Sequence, residues 1–243
     1  MNRPLNPSRS LFQAIATLAV AGFWLGAAQG ATPRDPREDE EDTRPPLHVV
    51  IGLDLSRSNP LVKSKDYASS AAGVVAQQIG DLPLRSLVML RTFGSYDGES
   101  NDLRIDRSIS NEGDERPAAV AVLVREIIAS VPSLVRSGRL DMQNSTNVIA
   151  FLENMSDFVD CKEMDAIVML VSDGIESSEY AELNREGEHL PKPGKIYRGC
   201  KELQIIGLGQ GQKSPSVTEH LREEWEKWAK AAGFRSFSGY NAW

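Results

Sequence analysis

The 243-residue chain has little of what metal clusters and disulfide frameworks are built from: two cysteines and three histidines. Cys161 and Cys200 lack CxxC spacing, so neither a dithiol redox motif nor a zinc site is expected of them. His48, His189 and His220 are scattered without ligand or triad spacing, which points to packing or surface roles. Positive charge is also scarce. Against 34 Asp and Glu stand 27 Lys and Arg, for a formal net charge of −7. Nucleic-acid-binding domains usually carry a basic face, and none is expected here. No internal repeat is visible.

Long apolar runs are few as well. One lies near the N-terminus, from Leu11 to Gly26, behind Arg3 and Arg9 and ahead of Ala27-Ala28-Gln29-Gly30-Ala31. That order is the layout of a secretory signal, with cleavage expected after Gly30. The competing reading, an uncleaved membrane anchor, needs a longer run without Gln13 and Thr17. Either reading exports the remainder, to a periplasm or the exterior, and only the second ties it to a membrane. Residues 31–46 mix Asp35, Glu38, Asp39, Glu40, Glu41 and Asp42 with Pro33, Pro36, Pro45 and Pro46. Such a segment has no apolar surface to bury and reads as an acidic disordered linker. Three parts are therefore expected: a signal over 1–30, a linker over 31–46 and one folded domain over 47–243.

Within the domain, strand and helix signals alternate. Leu47–Leu53 and Ala166–Val171 are near-continuous apolar runs, as in strands covered on both faces. Ser86–Phe93 and Leu203–Ile206 read as further strands, and Phe234–Tyr240 as a last short one. Leu103–Ile109 alternates apolar and polar residues, as an exposed edge strand does, and forms a hairpin with the strand before it. Helices are expected over Asp66–Ile79, closed by Gly80, and from Pro117 to Pro132 with Val120, Val124, Ile127 and Val131 inward. A third repeats Val148, Leu152, Met155 and Val159. The last is opened by a Ser216–Glu219 capping box, buries Val217, Leu221, Trp225, Trp228 and Ala232, and ends at Gly233. The pattern specifies an α/β fold, a doubly wound and mainly parallel open sheet with one antiparallel edge strand and helices on both faces.

Ligands in such sheets sit beyond the C-terminal strand ends, where strand order reverses. Two carboxylates fall at such ends. Asp54 follows the first strand in Asp54-Leu55-Ser56-Arg57-Ser58, and Asp173 follows Ala166–Val171 in Ser172-Asp173-Gly174. Thr146 precedes a helix in Ser145-Thr146-Asn147. Each piece alone is explained by a turn or a helix cap. Together they gather carboxylates and hydroxyls, a poor set for zinc and a suitable one for a hard cation such as magnesium.

These three pieces resemble the von Willebrand factor type A family, over about Leu47 to Tyr240. The resemblance implies a metal-ion-dependent adhesion site. Ser56, Ser58 and Thr146 would give hydroxyls to Mg²⁺ (or Mn²⁺ or Ca²⁺), and Asp54 and Asp173 would act through waters or from behind. A partner protein would supply an Asp or Glu carboxylate. Many members carry glycines before the threonine, where this chain has Gln143-Asn144-Ser145. Asn59-Pro60 also delays the first helix.

Other functions fit the residues less well. A metal-dependent hydrolase or phosphotransferase would want a second carboxylate where Ser56 stands. Gly207-Leu208-Gly209-Gln210-Gly211 has its third glycine misplaced for a dinucleotide loop, with Pro215 before the helix, and reads as a tight strand exit. A non-enzymatic binding protein is expected, and a scaffold subunit with an incidental metal site is the alternative. In this topology Cys161 and Cys200 precede neighbouring parallel strands at the edge opposite the site. In an exported protein a Cys161–Cys200 disulfide is then expected, against the alternative of two free thiols. Specificity is expected from the loops Gly94–Asn101, Ser137–Ser145 and Ile175–Gly199.

Overall fold

The structure is a computed structural model and describes residues 42–94, 103–185, 187–212 and 214–241. The expected signal, the linker up to Glu41 and most of the Gly94–Asn101 turn lie outside the described residues. From Asp42 onward the chain is tied to the domain. Arg44 Nη1 donates to the Asp81 carbonyl at 3.0 Å and Leu84 N–H to Asp42 Oδ2 at 3.3 Å, so residues 42–44 are not free spacer.

Six strands form one sheet: β1 (Leu47–Asp54), β2 (Leu87–Phe93), β3 (Arg104–Ser108), β4 (Asp165–Val171), β5 (Glu202–Ile206) and β6 (Ser236–Tyr240). Their order is β3-β2-β1-β4-β5-β6. Every neighbouring pair is parallel except β2–β3, the expected hairpin. The chain winds outward from β1 in one direction and from β4 in the other, so the switch point lies between those two strands. β1 and β4 are also the two most apolar strands, because both their faces are covered.

Four helices do the covering: α1 (Lys65–Gly80), α2 (Pro117–Arg136), α3 (Val148–Ser156) and α4 (Pro215–Ala232). Alternate residues of β1 belong to different cores. Val49, Ile51 and Leu53 pack with α1 and α2, and Val50 with α3 and α4. Full burial of each such side chain is worth roughly 1.5–3 kcal/mol. The small buried residues Ala68, Ala71 and Ala72 of α1 leave room for close packing against α2 and the sheet.

Several local expectations need correction. Pro132 does not end α2, which runs on to Arg136. Proline removes a hydrogen bond and crowds the preceding turn. Its ring here is buried on the apolar face, among residues that offset that cost. Ile128 takes the inward place expected of Ile127. Ser216 does not open α4. Ser214 is the N-cap, with Pro215 in the first turn, and no side-chain capping bond forms. Gly80 is the last residue of α1, and Asp81 the C-cap. Gly233 does end α4, left-handed at φ 107°. The polar stretch Ile175–Gly199 is largely anchored. Ile175, Leu183 and Tyr197 are buried, and the Tyr197 hydroxyl donates to the Leu152 carbonyl at 2.6 Å.

Candidate cation site at the switch point

β1 ends by turning its last carboxylate back on its own chain. Asp54 Oδ1 accepts the Ser56 N–H at 2.8 Å, an Asx turn that orients Leu55–Ser56. Asp54 Oδ2 accepts the Ser172 hydroxyl at 2.7 Å, which fixes the carboxyl against the end of β4. Asn59 locks the same junction. Its fully buried Nδ2 donates to the carbonyls of Asp54 (2.9 Å) and Val171 (3.1 Å), the final residues of β1 and β4. The Asn59-Pro60 break thus works as a clamp between the two central strands. Beyond it, the hydroxyls of Ser56 and Ser58 lie 3.1 Å apart, the first buried and the second exposed.

Asp173 stands two residues past β4. Its Oδ1 accepts the Ile175 N–H at 3.0 Å, and its Oδ2, equally buried, takes no hydrogen bond among the described residues. A buried polar atom without a partner is costly and calls for an explanation. Burial raises the pKa of Asp54 and of Asp173 well above the carboxylate range, and the Asp173 charge raises Asp54 further. The Ile175 N–H and the nearby Ser58 hydroxyl act in the opposite sense on Asp173. Two buried carboxyls that repel one another are a place where a cation would be stabilised.

Backbone bonds bring the third piece to this edge. Gln143 N–H donates to the Leu55 carbonyl at 2.9 Å, and Arg57 N–H to the Gln143 carbonyl at 3.0 Å. Thr146 and Ser177 exchange two bonds, at 3.1 and 2.9 Å. Asn147 N–H reaches the Gly94 carbonyl at 3.0 Å. Thr146 is therefore held between the Asp54 loop and the Asp173 loop. It is buried, and it is not the cap of α3: the Asn147 side chain accepts the Ala150 N–H at 3.2 Å and takes that role.

Two further residues of this edge escaped the sequence reading. One is Asn59. The other is Glu176, fully buried, whose Oε2 accepts the N–H groups of Val148 (2.8 Å) and Ile149 (3.1 Å) in the first turn of α3. Its Oε1 accepts the Ser178 hydroxyl. Burial pushes its pKa up to about 7, against the pull of those donors. A glutamate three residues after Asp173 was the only available signal, and spacing alone does not say what it reaches.

The donor set fits a hard cation. Among the described residues no group of three or more His, Cys, Asp or Glu gathers to hold a metal, so an ion here would rest on hydroxyls, two carboxyls and water. The glycine loop after β5 is a strand exit: Gly207 and Leu208 N–H both donate to the Tyr240 carbonyl. At the opposite end of the sheet, Cys161 and Cys200 form a disulfide just ahead of β4 and β5.

No family model matches the chain, and no curated protein matches it. Among solved structures the chain is similar to a point mutant of the PilB minor pilin from Streptococcus sanguinis. The identity is 12% and the TM-score 0.46, over 84% of this chain and 59% of that one. This chain thus spans less than two thirds of that structure's length. At that distance the likeness assigns neither a family nor an activity, and the fold stands on the chain's own topology.

Proposed function

We propose that this domain binds a protein partner through a divalent cation, Mg²⁺ in the first instance, at the C-terminal edge of β1 and β4. Ser56, Ser58 and Thr146 would hold the ion directly, with Asp54 and Asp173 behind them. It would supply a positive charge under-compensated by its neutral ligands, and so attract an Asp or Glu carboxylate from the partner. The observation that carries this reading is Asp173 Oδ2, buried beside Asp54 and without a hydrogen bond among the described residues. The resemblance to type A domains rests on these same residues and gives them the same roles. The Cys161–Cys200 bridge supports an exported location, periplasmic or secreted, since such bridges persist in oxidising compartments.

The test is an affinity capture from the native compartment, with Mg²⁺ and with EDTA, using wild type and Asp54→Ala. A partner retained in Mg²⁺ and lost both with EDTA and with the folded variant supports the proposal. A partner indifferent to both treatments refutes it and leaves the domain a scaffold.

A further inference from the structure

We propose that Glu176 is a positioning residue of the cation site, fixing the distance between Thr146 and Asp173; this rests on the cation-site reading above. Thr146 and Asp173 lie on different loops, and a cation shared by both needs those loops in a fixed relation. Glu176 is built to hold them. It stands three residues after Asp173, on the segment that pairs with Thr146 through the two Thr146–Ser177 backbone bonds. Its Oε2 takes the first two N–H groups of α3, from Val148 and Ile149, two and three residues past Thr146.

The physical chemistry favours a carboxylate at this place. The first turn of a helix leaves N–H groups without intrahelical partners, and they carry the positive end of the helix dipole. Asn147 satisfies one of them, at Ala150. Val148 and Ile149 are buried and have no access to water, so only a buried acceptor can serve them. Glu176 is that acceptor, and the Ser178 hydroxyl holds its other oxygen. The backbone bonds at Gln143, Thr146 and Asn147 hold the loop up to the start of α3, and the Glu176 bonds extend that hold into the first turn of the helix. With the carboxylate clamp, the segment after Asp173 is tied to the chain both at Thr146 and two and three residues past it. Residues behind a metal's ligands commonly affect metal affinity in this way.

The full chain is titrated with Mn²⁺, free ion being read by electron paramagnetic resonance, for wild type, Glu176→Gln, Ser178→Ala and Met155→Ala. Thermal unfolding in EDTA is recorded for each. Glu176→Gln keeps the shape but not two charged acceptor oxygens, and is expected to weaken Mn²⁺ binding about 10-fold or more. Met155→Ala empties a buried position at the far end of the same helix. It is expected to lower Tm and leave Mn²⁺ affinity unchanged. Ser178→Ala is expected to weaken binding less than Glu176→Gln, and it decides the matter if the latter does not fold. Wild type that takes up no Mn²⁺ overturns the cation site and this inference together. Wild type that binds while Glu176→Gln, or Ser178→Ala in its place, binds equally well overturns this inference alone. Loss of affinity in Met155→Ala matching that in Glu176→Gln also overturns it, because the effect would then be stability and not position.

Discussion

The two ends of the sheet are built on opposite terms. At the N-terminal ends of β4 and β5, Cys161 and Cys200 are joined covalently, and Tyr197 stacks on Phe234 with centroids 4.5 Å apart. Tyr197 N–H bonds the last carbonyl of α4, at Ala232, and Gly199 N–H the carbonyl of Gly233. At the C-terminal ends of β1 and β4, two carboxyls are buried together and one of their oxygens has no hydrogen-bond partner among the described residues. The first end uses strong links to hold the chain. The second keeps an unfavourable electrostatic arrangement, held in place by Asn59, Ser172 and Glu176. Such a site persists when the rest of the fold supplies stability, and it is where function and stability pull apart.

Four experiments break or sharpen this contrast. Replacing both Cys161 and Cys200 with Ser opens a link of sequence separation 39. The expected loss is about 3–4 kcal/mol of unfolding free energy in urea titration, from loop entropy. Mn²⁺ affinity should not change, and a parallel fall in affinity would mean the two ends are not independent. Asn59→Ala unpairs the Asp54 and Val171 carbonyls and the Leu61 N–H, with an expected cost of about 2–3 kcal/mol. Here cation affinity should drop too, since the clamp lies under the site; unchanged affinity would detach the clamp from the site.

Asp173→Asn should act in the opposite sense. Removing one of two buried like charges is expected to raise stability in EDTA by about 2 kcal/mol. In excess Mg²⁺ the order should invert, because only wild type gains binding energy. A variant less stable than wild type in EDTA would show that the buried pair is not under strain. The finest comparison sets Gly174→Ala against Gly233→Ala. Both glycines are left-handed, at φ 78° and φ 107°. An alanine in that region costs about 1–2 kcal/mol in backbone strain alone, and at Gly233 its Cβ would also lie 2.8 Å from the Arg198 Cα, so the Gly233 variant should lose more stability. Only Gly174, next to Asp173, should also affect Mn²⁺ binding; equal affinities would place the Gly174 turn outside the site.

The sequence revealed the sheet more readily than its supports. β1 and β4 were legible because burial on both faces leaves an unbroken apolar run. The switch point followed from the alternation of elements, and with it the shared edge of Asp54 and Asp173. Local rules failed where tertiary packing overrode them. Pro132 reads as a stop, yet a buried face carries α2 through it. Ser216 and Glu219 have capping spacing, but Pro215 moves the helix start back to Ser214. Asn59 and Glu176 were the most hidden. Their partners lie 112 and 28 residues away, at Val171 and Val148, and no pattern in the chain announces such bonds. Ile175–Gly199 looked like open loop because its anchors, Leu183 and Tyr197, are spaced too widely to show a period.

The pairing of β1 with β4 also sets the order in which the molecule can be made. Folding slows as the contacts that must form first become more distant along the chain. β1, β2 and β3, with α1 and α2, can assemble from the first part of the domain. β1 must then wait for β4, and Asn59 for a carbonyl 112 residues further on. The edge that gathers Asp54, Thr146 and Asp173 therefore depends on contacts between segments far apart along the chain. A chain cut before β4 would leave one side of the apolar strand β1 uncovered, a surface open to a chaperone or a neighbouring chain.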